Sequence, residues 1–136
     1  MDIVAVRAAL AAAAAAVPDL NATPYAPDSM ELPAFYPGES EIDFDMTFGA
    51  GVDEGIITCY VMTSAAEDES GQKLLDEFLG RGARSIKAAL EADPTLGGAV
   101  ADLRVRRFQA YRKYASETRS LYGAQIPVYV IGQAEE

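Results

Sequence analysis

The chain has 136 residues, half of them hydrophobic, with one cysteine, Cys59, no histidine and no tryptophan. That length and apolar content suit a single domain over residues 1–136 with its own core. The lone cysteine excludes an internal disulfide or a thiolate zinc cluster, the missing histidine excludes histidine-based triads, and the net charge of −10 argues against sequence-specific DNA binding.

The charge is unevenly placed. Residues 1–72 hold 13 acids and one base, Arg7, whereas residues 73–136 hold ten bases and eight acids. Complementary patches of this kind suit contacts between copies of one chain. A lone buried cysteine fits synthesis in a reducing cytoplasm.

The N-terminal stretch "MDIVAVRAALAAAAAAVPDL" is alanine-rich and carries Asp2, which argues against a secretion signal. No run approaches the roughly 18 apolar residues of a membrane span. Ile3, Val6, Leu10 and Ala13 fall at helical spacing, which predicts a helix over 2–16 ended by Pro18. The proline-rich segment that follows predicts a connector with a short extended piece at 31–36, where Pro33 suits an edge strand.

"ESEIDFDMTF" alternates, with Ile42, Phe44, Met46 and Phe48 toward a core and Glu41, Asp43 and Asp45 toward water. "GAGVDEG" reads as a hairpin loop carrying Asp53 and Glu54. It lacks the Gly-Lys-Ser/Thr ending of a phosphate loop. The acids at 41, 43 and 45 lie flat along a strand and lack the wrapped loop that calcium needs. "IITCYVMTS" then predicts a central apolar strand with Cys59 buried and inert.

From Glu67 to Glu91 the period changes to helical, with Leu75, Phe78, Leu79, Gly82, Ile86 and Leu90 on one stripe. The expectation is one long helix whose Gly82 allows close packing on the sheet. Gly97 and Gly98 then form a connector. "ADLRVRRFQAYRKYA" predicts one long strand near an edge or in an interface, and "SLYGAQIPVYVIG" a last strand whose Pro127 again suggests an edge or a strand start. The tyrosines 111, 114, 122 and 129, with arginines nearby, suit a protein interface. The expected fold is α+β, a mixed or antiparallel sheet of four to five strands with helices packed on one face, in the order α-β-β-α-β-β.

The pieces "PAFYPGE" and "GARSIKAALEADPTLGG", within this order of elements, resemble the tail terminator proteins of siphovirus-type bacteriophages, in particular those of actinobacteria. The resemblance runs over nearly the whole chain. It implies a virion structural protein of the tail and neck, made in the host cytoplasm, with no enzymatic activity, cofactor, metal or membrane association. The implied assembly is a homohexameric ring that caps the tail tube, stops its polymerisation and meets the head-completion connector. Genomic DNA passes through its lumen without specific binding. The implied partners are further copies of the chain, the major tail tube protein and the connector protein. On that reading Arg104, Arg106, Arg107 and Arg112 belong to subunit or tail contacts, and Glu41, Asp43, Asp45, Asp53 and Glu54 to an acidic lumen wall. The loops at 19–37 and 49–55 would become ordered on assembly. Another neck protein, a small carboxylate-using enzyme and a dimeric binding module are the alternatives.

Overall fold

A computed structural model describes residues 1–44, 52–66, 68–115 and 119–133. Helix α1 spans Ile3–Ala14. Asp2 caps it by accepting from the Ala5 amide, and Val6, Leu10 and Ala14 are its buried stripe. The helix ends before Pro18, in a turn in which Ala16 and Val17 donate to Ala13 and Ala14 carbonyls.

Strands β1 (Asn21–Ala22), β2 (Ala34–Asp43) and β3 (Val52–Ser64) follow. The extended piece expected at 31–36 and the start of the alternating stretch form one strand, β2, interrupted by a register shift between Pro37 and Ser40. Arg7 fills that irregularity from α1, donating to the carbonyls of Pro37 and Gly38. The stretch expected to be a hairpin loop is in part strand, because Val52–Gly55 pair with β6 and Glu54 and Gly55 pair with β2 as well.

Helix α2 spans Asp68–Leu79 and α3 spans Ile86–Glu91. The single long helix expected here is therefore two. Gly80 and Gly82 weaken the helix between them, and Ser85 starts a new one by accepting from the Ala88 amide. Gly82 does not pack on the sheet, since a Cβ there would meet open space. Gly71 has that role instead. A Cβ on it would lie 1.9 Å from the Ser64 carbonyl oxygen, and its own carbonyl accepts from the buried Thr63 hydroxyl at 2.9 Å.

Leu96, Gly97 and Gly98 turn the chain with φ of 49°, 67° and 97°. Asp93 ties this turn by accepting from the Thr95 hydroxyl and from the Thr95 and Gly97 amides. These bonds hold its carboxyl below the ordinary value, the Thr95 hydroxyl contributing most. The glycine pair is a knot between helix and strand.

The basic stretch is two strands, β4 (Asp102–Val105) and β5 (Gln109–Ala115), both antiparallel to the last strand, β6 (Ser120–Gln133). Among the described residues the sheet has six strands in the order β1-β2-β3-β6-β4, with β5 also on β6, and only β1–β2 is parallel. β6 is thus central, although Pro127 suggested an edge. The ladder on its far side lapses between the pairs Val105↔Val128 and Gln109↔Gln125. Pro127 lies at that lapse, where a missing ladder donor is tolerated.

Alternation divides the sheet. Phe35, Ile57, Cys59, Val61, Ala124, Ile126, Val128 and Val130 point to one face and join Val6, Leu10, Leu75, Phe78, Ile86 and Leu90 of the three helices in one core. None of the described helices joins the opposite face, which holds Tyr36, Tyr60, Thr58, Ile56 and Tyr129. No helix among the described residues is long and apolar enough to cross a membrane.

Candidate functional site

The open face mixes polar and apolar groups, with an excess of acids toward β2–β3 and of arginines toward β4, where Arg104 also pairs with Asp102 at 3.6 Å. Glu41 faces Ile56 and Asp43 faces Glu54 across β2 and β3, which places the three acids on the open side. All three are exposed. Asp53, expected with them on a loop, belongs to β3 and points the other way. It is 2% exposed and accepts at 3.1 Å from the Met1 ammonium. Burial removes it from any acidic wall. Asp45 lies outside the described residues.

At the other edge, Arg104 faces Tyr129 across β4 and β6. The guanidinium of Arg106 lies 4.9 Å from the centre of the Tyr129 ring, and Arg107 donates to the Tyr129 hydroxyl at 3.5 Å. These three arginines are brought together. Arg112 is not with them. It lies further along β5, over the Tyr114 ring at 4.9 Å. Lys113 sits over Tyr122 in the same way. The tyrosines are thus platforms for cations of the chain itself.

Between the two edges a shallow hollow has Glu39 and Glu41 on one side and Arg107 and Gln109 on the other. Tyr36 and Tyr60 stack beside it with ring centres 5.4 Å apart. Glu39 accepts from the Tyr60 hydroxyl. That bond, with burial and the negative charge of Glu39, pushes the Tyr60 phenol up to about 12, and the same bond holds the Glu39 carboxyl below its ordinary value.

A larger cleft of about 570 Å³ opens where β4 passes into β5. The buried Phe78 and Ile126 lie beneath it, and the exposed Phe108 borders it. Arg81, Arg104, Arg106 and Arg107 surround it. Among the described residues one acid lines it, Glu91, which accepts from Lys87 at 2.6 Å.

This Lys87–Glu91 pair does more than neutralise itself. Lys87 also donates to the Val105 carbonyl and Glu91 accepts from the Val105 amide, both at 2.8 Å. The outward backbone groups of Val105, at the sheet's edge, are therefore satisfied by side chains. An edge strand whose backbone is occupied cannot add another strand there. Burial pushes the Glu91 carboxyl up, but the hydrogen bonds from Lys87 and Val105 and the charges of Lys87 and Arg104 outweigh it and hold the group below its ordinary value.

The sequence reading missed Arg81, Lys87, Glu91 and Phe108. The Lys87–Glu91 spacing of four was a readable signal for a helical ion pair, but its reach to β4 was not readable from spacing. Cys59 is fully buried, and burial pushes its thiol well above the ordinary value. Among the described residues no three acidic or cysteine side chains converge on a point that would hold a metal ion. No protein-family model matches the chain, and no curated protein is detectably similar to it.

Proposed function

We propose that the chain is a structural subunit of a bacteriophage virion, a tail terminator that forms a homohexameric ring on the end of the tail tube. The ring stops tube growth and presents a surface to the head-completion connector, and the genome passes through its lumen. The resemblance of the sequence to that family motivates the reading. The observation that carries it is the uneven charge on one sheet face, acids on the β2–β3 side and, on the β4 side, three arginines against one acid, Asp102.

An excess of one sign toward one edge and of the other toward the opposite edge is only partly satisfied within one copy. It favours a head-to-tail contact, and such contacts close into rings when the rotation between copies closes. Glu41 is left to line the lumen, where one carboxylate from each copy repels phosphates and lets DNA slide. This is the reverse of the counterion-releasing contacts that hold DNA-binding proteins in place. The arginines belong to contacts between subunits and with the tail tube.

Light scattering on the purified chain, alone and with tail tubes, tests the reading. Six copies of 14.5 kDa in one closed particle are expected. A monomer under both conditions contradicts it. Electron micrographs of particles assembled without the protein separate the terminator from another neck protein. Overlong tails without heads are expected, whereas filled heads lacking only the connection overturn the assignment.

A further inference from the structure

The two sides of the sheet carry features of complementary chemistry, an exposed aromatic beside carboxylates on one and an arginine-lined cleft on the other. At the end of β2 the chain leaves the sheet, and Phe44 is 74% exposed, more than any other large hydrophobic side chain described. It follows Asp43 and, in sequence, precedes Asp45. Asp43 stands directly across the ladder from Glu54. Two carboxylates opposed on one sheet face disfavour each other, and a cation from outside relieves them.

The cleft at the opposite edge has the reciprocal build. It is bordered by the exposed Phe108 and by four arginines, of which Arg104 already pairs with Asp102. Arg81 on that rim has no hydrogen-bond or ion-pair partner among the described residues.

We propose that the cleft of one copy receives Phe44 of the next copy, with Asp43 and Glu54 of that copy against the rim arginines. The phenyl ring packs against the exposed Phe108, and the arginines meet both its face and the flanking carboxylates. An aromatic anchor in a pocket ringed by paired charges is the arrangement that concentrates binding energy in few residues. The contact runs through side chains because Lys87 and Glu91 already occupy the Val105 backbone. Asp43 thereby belongs to the junction and not to the lumen. The inference rests on the ring reading in one respect only, that copies meet head to tail.

Two full-length variants test it by sedimentation. One loses the plug (Phe44→Ala with Asp43→Lys) and the other loses the cleft (Arg104→Glu with Arg106→Glu). All four positions are exposed, and unchanged thermal melting confirms that both variants fold. Each variant alone is expected to remain monomeric. An equal mixture holds one intact plug and one intact cleft, so it is expected to form heterodimers and stop there. If the wild type assembles while the variants assemble equally well, or the mixture stays monomeric, the junction is wrong and the ring reading survives with another interface.

If the wild type does not self-associate, a labelled peptide of residues 40–47 is titrated by fluorescence anisotropy against the plug-less full chain. Binding is expected, and Phe44→Ala in the peptide or Arg106→Glu in the chain should weaken it at least about tenfold. Such binding with a wild type that stays monomeric even on tubes keeps the junction chemistry and removes the ring. No binding, or binding indifferent to both changes, overturns the inference.

Discussion

The two faces of the sheet are made by alternate residues of the same strands, yet they are built for different tasks. On β3, Ile57, Cys59 and Val61 are fully buried under three helices, while Ile56, Thr58 and Tyr60 between them stay half-exposed. The helix-covered face holds the fold together by apolar burial. The open face holds stacked tyrosines, stacked arginines and carboxylates, groups that keep a side chain ordered without hiding it from a partner. Stability and recognition are thus separated by the strand period of two.

The sharpest way to break this division is to truncate one residue on each face. Phe78→Ala on the covered side is expected to cost about 3–5 kcal/mol of unfolding free energy. Tyr60→Ala on the open side is expected to cost under about 1 kcal/mol. Denaturant unfolding checks both, and equal losses would abolish the distinction. Next in size, Gly71→Ala is expected to cost about 2 kcal/mol or more, because the new methyl meets backbone and not a movable side chain. Gly82→Ala, in open space, should be neutral or stabilising by up to about 1 kcal/mol. The same unfolding curves read both.

Gly71 and Gly82 also show what was legible in the sequence. Periodicity identified the strands and the helical stretch, because burial of alternate or every third or fourth residue leaves a mark in composition. It did not show which glycine touches the sheet, since that depends on how the helix sits in space. The break between α2 and α3 was readable in principle from Gly80, Gly82 and the cap Ser85, but the apolar stripe continues across it and hid the boundary. The division of the basic stretch into β4 and β5 was not readable, because both halves alternate. For the same reason Arg112 was grouped with arginines that it does not join. Phe44 was expected inside because alternation was extended past Asp43, where the strand ends. Asp53 was expected in a loop because glycines flank it. The strand runs through those glycines, and the side chain turns inward to an ammonium.

Smaller effects refine the picture at the edges. Glu91→Gln, which weakens the grip on Val105, is expected to cost about 1 kcal/mol at neutral pH. The folded Glu91 carboxyl lies below its ordinary value of 4.5. Its charge therefore stabilises the fold fully above about that pH, and the benefit is lost as pH falls through the folded value. The difference between wild type and variant should close on acidification. A difference that widens would contradict the proton accounting. On the open face, Tyr60 should ionise near 12. A raised phenol stabilises the fold fully below its ordinary value of 10.0 and stops doing so as pH rises through the folded value. Glu39→Gln should bring Tyr60 down toward 10.0 in an ultraviolet titration, with little change in stability.

Hydrogen exchange read by mass spectrometry, comparing assembled with unassembled chain, tests the central claim most directly. The account predicts new protection at the end of β2 around Asp43 and Phe44 and at the β4–β5 link around Arg104–Phe108, with none on the outer sides of α1 and α2. Protection gained on the helical side, with the open face and both edges unchanged, would contradict it.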